Sequence, residues 1–152
     1  MKSFLIAAAV AAFAIPLAAN GSGKMEVLKP WSRPAVAGTN GVGYMVLANT
    51  GRSADALEKV ESPLASRVEI HSMSMAGGVM SMTKVDAVSV PAGGRATFGP
   101  GAYHLMLIGL TRTLKAGDQI PATLTFASGA KIKVAFAVSA GVGPPAMAPM
   151  KP

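Results

Sequence analysis

Apolar and polar residues alternate in short segments along most of the chain, and turn signals separate these segments. Such alternation places successive side chains on opposite faces of a β-strand. The segments predicted as strands are residues 41–47, 65–75, 79–90, 103–110, 120–126 and 131–138. Strands at this spacing, with no helical periodicity between them, predict an all-β sandwich or barrel.

The predicted turns are rich in glycine and proline and lie at residues 49–51, 77–78, 91–94, 99–101 and 128–129. Two glycines between two strands favour a hairpin with a two-residue turn, so we expect Gly77 and Gly78 to occupy its centre. The register then follows by counting outward from the turn. The expected facing pairs are Ala76 with Val79, Met75 with Met80, Met73 with Met82, and His71 with Lys84.

Residues 1–20 predict a secretory signal peptide, because Lys2 precedes an apolar run at residues 4–19 that ends in small residues. A transmembrane anchor is the alternative, but the run is shorter than the roughly 20 residues that span a bilayer and contains Pro16. No cysteine follows the run, so we expect no lipid anchor on a cysteine. Residues 21–140 form the predicted β domain, and residues 141–152 form a flexible tail.

The composition of the chain excludes several classes of function. The 152 residues suit one domain, and 51% of them are hydrophobic against 14% charged. The absence of cysteine excludes disulfides, thiolate zinc sites, thiol catalysis and the His₂Cys copper site of electron-transfer cupredoxins. The net charge of +7 comes from scattered basic residues, which argues against nucleic-acid binding. The sequence has no pair of carboxylates at a spacing typical of acid–base catalysis and no glycine-rich phosphate-binding loop, so neither feature indicates an enzyme.

The candidate chemistry consists of imidazoles and thioethers. Alternation places His104 and Met106 on one strand face, opposite Leu105 and Leu107. It also gathers a second set on one face of the predicted hairpin, namely His71, Met73, Met75, Met80 and Met82. Neutral, soft donors favour Cu(I) over zinc, magnesium or calcium. Methionine also fills cores, and a lone histidine is often a surface residue, but both histidines lie on methionine-bearing faces.

The spacing of four of these residues resembles that of the periplasmic copper chaperones of the PCu(A)C family. His71 is followed after ten residues by Met82, after twenty-one more by His104, and after one more by Met106. Residues 30–34, 44–51 and 123–126 extend the resemblance over most of the chain. It implies a cupredoxin-like Greek-key β-barrel with His71, Met82, His104 and Met106 as Cu(I) ligands, and no ligand position departs from the pattern.

The resemblance also implies a biological role. A monomeric, non-enzymatic carrier in the periplasm would deliver copper towards the cytochrome c oxidase subunit that carries the dinuclear copper centre, with Sco-type proteins as collaborators. A copper buffer or tolerance protein without a dedicated recipient is one alternative. A metal-free β-sandwich whose methionine face contacts another protein is another.

Several residues remain beside the four-residue pattern. Met73, Met75 and Met80 are expected to form either a copper-capturing surface or a hydrophobic rim. Trp31, close to Arg33, is expected in the core rather than at a partner contact. Two alternatives are left for the tail. Met147 and Met150 form a weak second copper site, or the tail binds no copper. The four ligands are expected at strand ends and partly exposed.

Overall fold

The computed structural model describes residues 24–141, and that part of the chain consists of β-strands and turns without an α-helix. It contains no helix that is long and apolar enough to cross a bilayer. The all-β prediction is therefore confirmed. The predicted signal peptide, residues 1–20, and residues 142–152 of the predicted tail lie outside the described residues.

The strands follow the chain in the order β1 (Met25–Ser32), β2 (Gly41–Asn49), β3 (Asp55–Glu61), β4 (Ala65–Ala76), β5 (Val79–Val85), β6 (Val88–Val90), β7 (Arg95–Phe98), β8 (His104–Leu110), β9 (Gln119–Phe126) and β10 (Lys131–Val138). They form one sheet in the hydrogen-bonded order β5-β4-β8-β2-β1-β10-β9-β3-β6. Strands β7 and β8 pair with successive parts of the same edge of β2. Because β3 contacts β4 and β6 contacts β7, the sheet curls around one core.

The core is built from the inward-facing side chains of these strands. Leu47, Leu57, Val90, Ile120 and Leu124 have no exposed surface. Burial of aliphatic surface on this scale is the main force that holds such a sheet closed.

Trp31 is a buried residue of β1, as predicted. Its ring centroid lies 4.7 Å from that of Tyr44, the residue opposite it on β2. The guanidinium carbon of Arg33 lies 5.6 Å from the centroid of the Tyr44 ring and 6.0 Å from that of Trp31. Trp31 is thus both a core residue and one side of a stacked cation–π contact.

Three strands were not among the predicted segments, namely β1, β3 and β7. Strand β3 illustrates the reason, because Glu58 and Lys59 are consecutive exposed residues that interrupt the alternation. The predicted strand at residues 79–90 is divided at Asp86 and Ala87. The chain changes partners there, since β5 pairs with β4 whereas β6 pairs with β3.

Candidate metal centre

A tight turn sets the register of the hairpin formed by β4 and β5. Gly77 and Gly78 have φ values of 60° and 78°, both in the left-handed region that a type I′ turn requires at its two central residues. Glycine adopts these values without the strain that a Cβ would introduce. The observed pairs, Ala76 with Val79, Met75 with Met80, Met73 with Met82 and His71 with Lys84, are those the sequence predicted.

The other edge of β4 pairs with β8 and brings the two histidines together. His71 lies directly opposite His104, and Glu69 lies directly opposite Met106. The alternate pair, Ile70 and Leu105, is buried in the core. Neither register contains an irregularity, so the donor residues of β4, β5 and β8 share the outward face of the sheet.

His71 is the centre of this arrangement. Its direct neighbour on β8 is His104, and Met106 is the diagonal neighbour two residues further along that strand. On β5 its direct neighbour is Lys84, and Met82 is the corresponding diagonal neighbour. Diagonal neighbours in a sheet lie about 7–8 Å apart, within reach of long side chains. The register therefore places the other three predicted ligands among the direct and diagonal neighbours of His71, with Met106 opposite Glu69 and Met82 opposite Met73.

The two imidazoles have a separation that suits a shared ion. Their ring centroids are 5.6 Å apart, and the ring planes are inclined by 37°. A metal ion bound to an imidazole nitrogen at about 2.0–2.1 Å lies about 3 Å from the ring centre, so two imidazoles on one ion have centres about 5–6 Å apart. The histidine pair fits this requirement.

A carboxylate fixes the orientation of one imidazole. The Nε2 atom of His71 lies 2.9 Å from Oε2 of Glu69. An ionised carboxylate only accepts hydrogen bonds, so Nε2 carries the proton and Nδ1 of the neutral ring carries the free lone pair. That Nδ1 is buried and has no hydrogen-bond partner among residues 24–141. A metal ion bound to this nitrogen would accept its lone pair and so supply the partner that the buried atom lacks.

Glu69 is held in this position from several directions. Its Oε1 accepts a hydrogen bond from Nε of Arg67 at 3.0 Å, and Nζ of Lys84 lies 3.8 Å from the same oxygen. The hydrogen bonds from His71 and Arg67 lower the pKa of the Glu69 carboxyl, so the acceptor stays ionised. The sequence pattern gives no role to Glu69, although the alternation of β4 places it on the same face as His71.

Exposure differs sharply among the predicted ligands. Met82 is 56% exposed, whereas His104 is only 4% exposed and is therefore not partly exposed as expected. The expected position at strand ends is also wrong for three of the four, because only His104 begins a strand and the others lie within β4, β5 and β8. Burial lowers the pKa of His104, the nearby His71 lowers it further, and a hydrogen bond with the backbone of Ala102 opposes the shift. The buried imidazole is thus kept neutral, the form that binds metal ions.

The donor set limits the kind of ion that the site accepts. Residues 24–141 contain no group of three or more His, Cys, Asp or Glu side chains arranged to hold a metal. The outward face instead offers two imidazoles and two thioethers, which are neutral and include soft sulfur. Such donors suit a soft monovalent ion and give little compensation for a doubly charged one.

Comparison with known proteins gives a consistent family assignment. The sequence profile of the family described as LpqE-like lipoproteins matches residues 25–138. A protein of Leifsonia xyli subsp. xyli that is named as a lipoprotein, Lxx21020, is 30% identical over an alignment of 129 residues that covers 82% of this chain and 77% of that protein.

Solved structures agree with this assignment. The copper-bound PCuAC domain from PmoF2 has a TM-score of 0.65 and 27% identity, over 78% of this chain and 95% of that one. The solution structure of the Cu(I) form of DR1885 from Deinococcus radiodurans has a TM-score of 0.60 and 28% identity, over 82% of this chain and 85% of that one. These matches confirm the cupredoxin-like β fold that the resemblance implied.

Proposed function

The chain belongs to the LpqE-like family, to which the PCuAC copper-chaperone domains correspond, and from this premise we propose that it is a periplasmic Cu(I) carrier. Its ligands in this proposal are His71, Met82, His104 and Met106. The observation that carries the proposal is the histidine pair, with ring centres 5.6 Å apart and a buried, unpartnered Nδ1 on His71. The copper-bound PCuAC domain from PmoF2 and the Cu(I) form of DR1885 support the choice of ion.

The geometry supports a carrier rather than an enzyme. His104 is buried and Met82 is exposed, so the cation would be held from inside by a buried imidazole and from outside by an exposed thioether. A recipient can approach the exposed thioether and replace it without unfolding the barrel. Glu69 orients His71 so that its lone pair is available before the ion arrives.

A competition titration with a Cu(I)-specific chelator under reducing conditions tests the binding step. We expect one tightly bound Cu(I) in the unmodified chain and its loss in a His71→Ala/His104→Ala double variant. Peroxide treatment, which converts thioethers to polar sulfoxides, should also weaken binding. Tighter binding of Cu(II) than of Cu(I) at these residues would overturn the proposal.

We further propose that the copper is delivered towards the dinuclear copper centre of cytochrome c oxidase, with Sco-type proteins as collaborators. The family resemblance supports this recipient, and the leader-like pattern of residues 1–20 supports a periplasmic location. Mixing the copper-loaded protein with the soluble domain of the oxidase subunit tests the delivery. Copper that stays on the carrier in every mixture would favour a buffer or tolerance protein instead.

A further inference from the structure

We propose that the hairpin of β4 and β5 carries a second binding site for a soft monovalent cation. It consists of Met73, Met75 and Met80, with Met82 shared between this site and the one centred on His71. We call these four residues the methionine ladder. The inference rests on the proposed Cu(I) binding, because it concerns how the same cargo reaches the inner ligands.

The register of the hairpin places the methionine side chains side by side in pairs. In a two-residue hairpin the residues that flank the turn exchange hydrogen bonds, and hydrogen-bonded and non-hydrogen-bonded pairs alternate from there. Ala76 and Val79 are the flanking pair, so both methionine pairs of the ladder occupy non-hydrogen-bonded positions. Side chains approach each other most closely at such positions. Each pair therefore offers two adjacent thioethers on the same face.

The outward face of the hairpin carries a single residue type near its turn. All four outward positions of the hairpin between residues 73 and 82 are methionine, and none is leucine, isoleucine or phenylalanine. The opposite face carries serines at the corresponding positions, and the hydroxyl oxygens of Ser74 and Ser81 lie 2.9 Å apart. A hydrophobic contact patch requires only apolar area, whereas a soft cation requires sulfur. The uniform choice of thioether is explained by a cation.

Exposure of the side chains decreases from the tip of the ladder towards the histidines. Met75 and Met80 at the tip are 70% and 61% exposed, Met82 is 56% exposed, and Met73 and His71 are partly buried. Buried His104 lies at the inner end, directly opposite His71. A cation captured at the tip would therefore pass towards the histidines by exchanging one neutral ligand at a time. Met82 belongs to both sets and joins them.

Silver ion is the appropriate probe, because Ag(I) is a soft monovalent cation that is not oxidised in air. The full chain with ¹³C-labelled methionine methyl groups is titrated with Ag(I), and the methyl resonances identify which sulfurs respond, those of Met147 and Met150 included. We expect two equivalents in the unmodified chain. The first should shift Met82 and Met106, and the weaker second should shift Met73, Met75 and Met80.

Two double variants separate the sites. His71→Ala/His104→Ala should lose the tight equivalent and retain the weaker one at the ladder. Met75→Leu/Met80→Leu should lose the weaker equivalent, retain the tight one, and load that site more slowly. The substituted methionines are exposed, so folding should be unaffected, which a thermal melt verifies. Val79→Leu is the matched control, because Val79 is 66% exposed on the same hairpin but points to the other face.

The outcomes distinguish this proposal from the proposed function. A single equivalent in the unmodified chain, with no response of Met75 or Met80, overturns the second site and leaves the first intact. Absence of the tight equivalent, with the weaker one present, overturns the proposed function instead. If Met75→Leu/Met80→Leu retains both equivalents at unchanged affinity, the ladder is an apolar surface and the proposal is wrong.

Discussion

Strands β4 and β8 have two faces of opposite character. On the inward face Ile70 lies opposite Leu105, and both side chains are buried in the core. On the outward face His71 lies opposite His104, and Glu69 lies opposite Met106. At this point of the two strands, alternate residues thus contribute either to the hydrophobic core or to a cluster of polar and sulfur-containing groups.

The difference shows how a small barrel separates stability from binding. The inward residues fix the distance and register between the strands, because their burial holds β4 against β8. The same register fixes the positions of the outward residues, so these residues do not have to stabilise the fold themselves. Substitutions on one face should therefore change the unfolding free energy, and substitutions on the other should change the affinity for the cation.

Truncation of the inward face should have the largest effect on stability. Leu105→Ala removes a side chain that is 1% exposed, and large-to-small substitutions in cores cost about 2–5 kcal/mol. Denaturant unfolding monitored through Trp31 measures this loss. Ile108→Ala is the matched control, because Ile108 is a partly buried residue on the outward face of the same strand. An equal loss in both variants would contradict the division between the faces.

Removal of one thioether from the outward face should instead lower Cu(I) affinity. Met106→Leu conserves volume and should cost less than about 1.5 kcal/mol of stability, but it removes a sulfur donor from the cation. Met45→Leu is the control, because Met45 is a buried methionine of β2 that belongs to the core. A chelator competition should show weaker binding only for Met106→Leu. Equal affinities of the two variants would show that Met106 is not a ligand.

Loss of the carboxylate behind His71 should have a smaller effect on affinity. Glu69→Ala removes the acceptor that holds Nε2 of the imidazole at 2.9 Å, and loss of such a partner typically lowers metal affinity by about 10–100-fold. Glu69→Gln retains an acceptor oxygen and should lose less. Glu61→Ala is the control, because Glu61 pairs with Lys59 on β3, a strand without a proposed ligand. Unchanged affinity in Glu69→Ala would exclude the positioning role.

The sequence predicted the local parts of this site well and the non-local parts poorly. The register from Met73 to Met82 follows from Gly77 and Gly78 alone, since the turn type fixes which residues face each other. The division of the chain at Asp86 follows from pairing with a distant strand, and no local pattern encodes it. The hydrogen bond between Glu69 and His71 depends on rotamers, so alternation could predict only their common face.

The smallest expected effect comes from a carboxylate that lies away from both faces of β4 and β8. Oδ1 of Asp55 accepts hydrogen bonds from the backbone N–H groups of Ala56 and Ser128, and Oδ2 accepts one from the Ser128 hydroxyl at 2.6 Å. Burial alone would raise the pKa of Asp55, but these hydrogen bonds outweigh it and lower the pKa below the ordinary value of 3.8. The ionised form is therefore favoured by folding.

The sign of the pH dependence follows from this shift. A carboxyl with a lowered pKa in the folded state contributes stability above its unfolded value of 3.8 and loses that contribution as the pH falls through the folded value. The difference in unfolding free energy between the unmodified chain and Asp55→Asn should therefore be constant near neutral pH and shrink in strong acid. Cu(I) affinity at neutral pH should be the same in both proteins, because Asp55 belongs to the junction of β3 with the turn after β9. A difference in stability that grows as the pH falls would contradict the lowered pKa of Asp55. A change in copper affinity would show that this junction is coupled to the outward face of β4 and β8.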